Sequence, residues 1–301
     1  MRNMCARKKA LACAGGLAMS AGILLSAARA WAEDAGAYRE IETKYIFGFT
    51  EGSGIGLEGE KEFSPETVIN FGKRDGRYAV SETKLEYEFT PNQYIQIELG
   101  PLVSYYDIRN VTGLDDMNAV RFSGFFGELR YLLIDRTSTS PFSVTLSVEP
   151  EWHAFEETSG ARVVNYGLEA KVNADLELVK NRLYLGANLL YEPETTRADL
   201  GVWQQESTLG QSIALAYRIH PQVTIGAEAW YLRHYEGLWF NTFTGDAVYV
   251  GPTLYVQLTT KMFMTAAWNT QIAGHETGDP GPLDLTDFSR HRAKVKVAVE
   301  F

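Results

Sequence analysis

Between residues 163 and 179, Val164, Tyr166, Leu168, Ala170, Val172, Ala174, Leu176 and Leu178 occupy one parity, and Asn165, Glu169, Lys171, Asn173, Asp175 and Glu177 the other. A period of two sets one face of a strand against an apolar phase and the other against water or polar partners. The separation returns at Thr83, Leu85, Tyr87 and Phe89 against Glu82, Lys84, Glu86 and Glu88. It returns at Phe142, Val144, Leu146, Val148 and Trp152 against Ser143, Thr145, Ser147, Glu149 and Glu151. At the end of the chain, Ala293, Val295, Val297, Val299 and Phe301 alternate with Lys294, Lys296, Ala298 and Glu300.

Segments of strand length recur throughout, at about 57–73, 77–90, 94–109, 118–135, 142–157, 163–179, 182–196, 202–219, 223–236, 246–259, 262–275 and 288–301. Tight connections, such as Thr90-Pro91-Asn92-Gln93, Lys180-Asn181 and His220-Pro221-Gln222, alternate with longer ones, such as 110–117, 237–245 and 276–287. A soluble β-sandwich would share the period of two but has no reason to alternate its turn lengths. A barrel in a membrane does, with short turns on the periplasmic side and longer loops outside. No apolar run of about 18 residues follows residue 32, so no helix crosses a bilayer and a membrane fate requires a closed barrel. The expected fold is all-β: a transmembrane, antiparallel, up-and-down β-barrel of about twelve strands over residues 57–301.

The amino-terminus fits a secreted chain. Arg2, Arg7, Lys8 and Lys9 precede an uncharged run from Ala10 to Ala28, and Ala30-Trp31-Ala32 offers small residues where a signal peptidase inspects. Residues 1–32 therefore read as a signal peptide. Its removal takes both cysteines, Cys5 and Cys13, and leaves 23 basic against 38 acidic residues, a net charge of −15. That balance argues against nucleic acid as a partner. A chain without thiols has no disulfide, no cysteine nucleophile and no thiolate metal site.

Residues 33–56 fall outside the strand rhythm. Ile41 to Thr50 reads as a strand that Glu51-Gly52-Ser53-Gly54 breaks, and the segment either lies in the lumen as a plug or hangs in the periplasm as a tether. Gly54-Ile55-Gly56-Leu57-Glu58-Gly59 matches G-x-G-x-x-G, but no helix follows to receive a pyrophosphate. Neither a cofactor nor a resident metal is expected. Asn110-Val111-Thr112 is a polar loop that happens to match a glycosylation sequon.

The inward parity is where function should lie. Its candidate lumen-lining residues are Glu86, Glu88, Glu98, Glu128, Arg130, Glu149, Glu151, Glu169, Lys171, Asp175, Arg218, Glu228, Lys294 and Lys296. A dozen strands make a barrel wider than side chains alone fill, between a packed eight-stranded interior and an open sixteen-stranded channel. An aqueous passage for ions or small solutes follows, its acidic excess favouring cations. The alternative is a closed barrel stiffened by an ion-paired lattice, with a structural or surface-interaction role.

With its secretory start, strand rhythm and terminal Phe301, the chain resembles proteobacterial outer-membrane β-barrel proteins, a broad porin-like and poorly characterised set. The resemblance implies the cell outer membrane, with lipid and lipopolysaccharide around the barrel. It also implies recognition of the last strand by the barrel assembly machinery, and it leaves the oligomeric state open. Barrel hydrolases also exist. Outer-membrane phospholipases carry a closely spaced His and Ser, for which Ser289 and His291 are the nearest match, and omptins carry acidic pairs, which Asp115-Asp116 imitates. Neither context is complete, so no catalytic residue is assigned and the chain is not expected to be an enzyme. Asp115, Asp116, Asp279, Asp284 and Asp287 place carboxylates in the outer loops, where divalent cations bridge lipopolysaccharide phosphates.

Overall fold

The computed structural model describes residues 41–137, 139–198 and 201–301. The expected signal peptide and residues 33–40 lie outside the described residues. Twelve strands follow in chain order: β1 (Lys61–Phe71), β2 (Arg77–Asn92), β3 (Ile95–Arg109) and β4 (Met117–Ile134). Next come β5 (Phe142–Phe155), β6 (Arg162–Val179), β7 (Leu183–Ala198) and β8 (Gln204–His220). The last four are β9 (Val223–Glu236), β10 (Thr242–Gln257), β11 (Met262–Glu276) and β12 (His291–Glu300). Each pairs antiparallel with its chain neighbours, and β1 pairs with β12 through Phe63↔Val299, Thr67↔Val295 and Phe71↔His291, which closes the barrel.

The outer surface explains why the alternation is so clean. Leu129 and Tyr131 on β4, Leu146 and Val148 on β5, Val172 on β6, Leu189 on β7, and Ile213 and Leu215 on β8 all point outward and stay exposed. A belt of that size is unfavourable in water and is solvated by acyl chains in a bilayer. Aromatic rings pair on the same surface: Phe125 with Trp152 at 6.4 Å, Tyr166 with Trp203 at 6.3 Å, and Phe71 with Trp268 at 4.8 Å between ring centroids. Amphipathic rings favour the headgroup level. At the other end Phe301 lies 6.4 Å from Tyr87, and its amide donates to the Lys61 carbonyl at 2.9 Å.

The connections at 93–94, 180–182, 221–222 and 258–261 lie at the end of the barrel that holds the start of β1 and the end of β12. Asn181 turns the β6–β7 corner at φ 56°, a left-handed conformation that Asn tolerates, and its amide donates to the Glu177 carboxylate at 2.5 Å.

Three strand starts, those of β1, β10 and β12, differ from the sequence-based expectation by three or more residues. Leu57 to Glu60 form a turn rather than the start of β1, with Gly59 at φ 83° and its amide bonded to the Thr90 carbonyl. β10 starts at Thr242 rather than 246, because Gly237 and Phe240, both at positive φ, reverse the chain within a short connection. β12 starts at His291, because the residues before it belong to a connection folded over the barrel mouth, where Gln271 Nε2 donates to the Asp284 carbonyl at 2.8 Å.

The expected strand at Ile41–Thr50 is not a strand. These residues run as irregular chain and turns inside the lumen, with Ile46 and Phe47 fully buried. A strand here would need a neighbour to pair with, and all twelve wall strands already pair on both sides. The segment's backbone is satisfied instead by side chains of the wall and by bonds within the segment, such as the Gly52 amide to the Lys44 carbonyl at 3.1 Å.

Candidate functional site in the lumen

The lumen is built around residues 41–56, which bond to most of the wall. The Thr43 hydroxyl donates to Asp175 of β6 at 2.5 Å, and the Ser53 amide and hydroxyl donate to the same carboxylate at 2.7 Å. The Phe49 and Thr50 amides reach Glu228 of β9 at 3.1 and 2.7 Å. The Glu51 amide donates to Asn188 Oδ1 of β7 at 2.8 Å, and Asn188 Nδ2 returns a bond to the Glu51 carbonyl at 2.8 Å. Thr265 of β11 donates to the Tyr45 carbonyl at 2.8 Å, and Thr145 of β5 to the Ser53 carbonyl. Arg130 of β4 donates to the Gly52 carbonyl at 2.9 Å and pairs with the Glu51 carboxylate. Buried backbone groups need such partners, and here the wall supplies them.

The bore is two-sided where this segment sits. Glu300, Glu62, Glu88, Glu98 and Glu128 face one another in register across β12, β1, β2, β3 and β4. Like charges placed opposite one another destabilise a sheet unless a counter-charge intervenes. Lys44 supplies it, with Nζ 3.1 Å from Glu88 and in direct contact with Glu98. On the other side, Tyr184, Ala214, Ala216, Tyr255, Phe263 and Ala298 receive Tyr45, Ile46 and Phe47. Gly186 of β7 makes room there: a Cβ at that position would lie 3.1 Å from the Phe47 ring. The inward parity is therefore partly apolar, where the alternation predicts a wet or wholly ion-paired lumen. The apolar part exists because the segment brings apolar partners.

Outside this segment lies a cavity of about 350 Å³. Its floor is Lys44, Tyr45, Gly48, Phe49 and Glu51, and its outer rim includes Asp287, Phe288 and Ser289 of the β11–β12 connection and Glu157 and Thr158 of the β5–β6 connection. Its wall is a lattice of charges. Lys84 pairs with Glu151 at 2.6 Å and contacts Glu149; Lys171 pairs with Glu169 at 2.6 Å and Glu51 at 2.8 Å; Lys294 pairs with Glu66 at 2.8 Å; Lys296 contacts Glu86. Glu98, Glu128 and Glu192 add further carboxyl groups, so acids outnumber bases around the cavity.

The sequence-derived candidates divide by position. Glu86, Glu98, Glu128, Glu149, Glu169, Lys171, Lys294 and Lys296 line the cavity. Glu88, Arg130, Asp175 and Glu228 are spent on holding the inner segment. Glu151 lies beside His153 toward the outer end of β5. Arg218 is buried at the short-turn end, where it donates to the Asn181 and Pro221 carbonyls and braces two turns. Lys44, Glu51, Glu62 and Glu66 did not emerge from the sequence. The signal for the last two was present, since Glu60, Glu62, Ser64 and Glu66 alternate with Lys61, Phe63, Pro65 and Thr67.

Of the outer-loop carboxylates, Asp115 and Asp116 are exposed as expected, whereas Asp279, Asp284 and Asp287 are drawn into the loops. Asp116 accepts from the Asn110 amide at 2.7 Å, Asp279 pairs with Arg74, and Asp287 lies 3.5 Å from His234. Asp284 is fully buried, and burial with the neighbouring Asp287 charge pushes its carboxyl up to about 6. The two hydrolase imitations are used structurally as well. The Ser289 carbonyl accepts from the Tyr249 hydroxyl, and His291 stacks on Phe71 at 5.3 Å while bonding Thr270 at 3.0 Å.

Residues 39–301 match the model of a family of unknown function, DUF6662. The chain belongs to this family. A search of curated proteins finds no sequence match. Among solved structures, the COG4313 outer membrane channel from Pseudomonas putida F1 superposes with a TM-score of 0.57 at 10% identity, covering 87% of this chain and 100% of that one. The NanC porin aligns at a TM-score of 0.47 and 9% identity, over 79% of this chain and 98% of its own. This DUF6662 member thus has the porin-like, closed twelve-stranded fold of an outer-membrane β-barrel, and its exposed apolar belt suits that membrane.

Proposed function

We propose that this DUF6662 barrel is a passive channel for ions and small polar solutes, with a preference for cations, and that residues 41–56 hold it closed in the conformation described here. The observation that carries the reading is the arrangement of the bore. A charged, acid-rich cavity of about 350 Å³ ends on a floor contributed by a separate piece of chain rather than by the wall. A barrel whose interior is only a scaffold gains nothing from such a cavity, whereas a conduit needs polar space with a net field. The neighbour of the same fold from Pseudomonas putida F1 is an outer membrane channel, which is consistent with the reading.

Single-channel recording in planar bilayers tests it. The full chain is expected to show low conductance, and a chain lacking residues 33–56 a severalfold larger, cation-selective conductance. A truncated barrel that inserts, keeps its β circular dichroism and still fails to conduct would favour the closed, ion-paired structural role. If the truncated chain does not fold, Asp175→Asn and Glu228→Gln in the full chain, which weaken the segment's anchors, give the same reading.

A further inference from the structure

At the outer end of β5, a buried histidine is ringed by three carboxylates. His153 is 2% exposed, and neither ring nitrogen makes a well-directed hydrogen bond. Nδ1 lies 3.0 Å from a Glu157 oxygen, and Nε2 lies 3.5 Å from Glu151 and 3.8 Å from Glu82. The imidazole is thus held by ion contacts rather than by well-directed hydrogen bonds, and a buried group in that state favours a better-aligned partner. One donor atom each from Glu151, His153 and Glu157 lies within 4.8 Å of the others. Glu157 faces one ring nitrogen and Glu151 the other, so a turn of the imidazole that aims one nitrogen between them would let the three donors share one ion at bonds of about 2.0–2.2 Å.

We propose that Glu151, His153 and Glu157 bind a divalent transition-metal ion of the zinc class, with Glu82 as a third carboxylate beside the site. The charges suit a dication. Lys84 is the nearest cation to Glu151, at 2.6 Å, but it is shared with Glu149, so Glu82, Glu151 and Glu157 leave a local negative excess. The donor set selects the ion class: an imidazole nitrogen with carboxylate oxygens suits zinc and its neighbours, whereas calcium and magnesium favour oxygen alone. Glu151 and His153 belong to β5, Glu157 to the connection that follows it, and Glu82 to β2. A bound ion would tie the β5–β6 connection to the wall beside the cavity rim, where Glu157 already sits. The site does not depend on whether the lumen conducts.

The test is titration of the dialysed, full-length barrel in detergent with Zn²⁺ and, separately, Ca²⁺, followed by calorimetry and metal analysis. One Zn²⁺ per chain is expected, weakened at least tenfold by His153→Gln and by Glu157→Gln, with Ca²⁺ binding the same in His153→Gln as in the parent. Co²⁺ in place of Zn²⁺ should give a visible absorption band that His153→Gln abolishes. Zn²⁺ binding that His153→Gln leaves unchanged would overturn the proposal, as would no binding by the parent. Should His153→Gln fail to fold, Glu157→Gln in the exposed connection carries the same two outcomes.

Discussion

Lys44 Nζ lies 3.1 Å from the Glu88 carboxylate, with both side chains almost completely buried inside the bore. Lys44 belongs to the chain that precedes the barrel and Glu88 to its second strand, so the pair locks an inserted segment to the wall. Removing one partner of a buried pair leaves the other charge without compensation. Lys44→Ala should therefore destabilise the barrel by about 3–5 kcal/mol in a urea unfolding series. Lys44→Ala with Glu88→Gln should recover part of that loss. A double variant no more stable than Lys44→Ala would mean that the pair is not coupled as its geometry implies.

Asp175 accepts three bonds from Thr43 and Ser53 and also contacts Arg136. Asp175→Ala is expected to release residues 41–56 without opening the wall. Amide exchange at Ser53 should accelerate by one to two orders of magnitude while exchange within β6 holds, and unchanged Ser53 protection would count against the anchor.

Gly186→Val places a branched side chain where the Phe47 ring packs. Overpacking of this kind costs roughly 1–3 kcal/mol. Here the segment is the softer partner, so the variant should insert normally and conduct more than the parent. Equal conductance would show that Phe47 has room to move aside while the bore stays closed.

Glu149 and Glu169 stand directly opposite each other on β5 and β6 at the cavity wall. Replacing both with Gln reduces the acidic excess without adding a cation. In the segment-deleted barrel, the reversal potential under a KCl gradient should shift toward that of a nonselective pore; no shift would place the selectivity elsewhere.

Asp284 lies in the β11–β12 connection, outside the wall, with its carboxyl at about 6 against an ordinary value of 3.8. A folded-state value raised in this way contributes stability that is fully present below about pH 3.8 and is lost as pH rises through about 6. Closure of this connection over the mouth should weaken over that window. Amide exchange at Thr286 and Asp287, whose amides donate to Asp284, checks it after correction for intrinsic rates. Asp284→Asn should remove the dependence.

The wall was legible because lipid and lumen are unlike phases, and each strand writes that contrast as a period of two. β5 and β6 could be read residue by residue. Residues 41–56 write no such pattern. Their partners Asp175, Glu228 and Asn188 lie more than a hundred positions away, and irregular chain satisfied by distant side chains leaves no local period to read. Tyr184 and Phe263 were obscured for a related reason. They face inward, and only the presence of Phe47 and Tyr45 makes an apolar residue suitable there. The surroundings of His153 are not local either, since its carboxylate neighbour Glu82 comes from β2, three strands away along the wall.

β1 begins directly after the lumen segment and finds its second partner only in β12, the last strand made. The segment's own partners lie on the strands between. The seam is thus the last place at which the occupant can be enclosed, and a wall sealed without it would face threading an ordered chain through a finished bore. The chain order thus suits a barrel wrapped about its own lumen segment, with that segment as the former and the β1–β12 seam as the join.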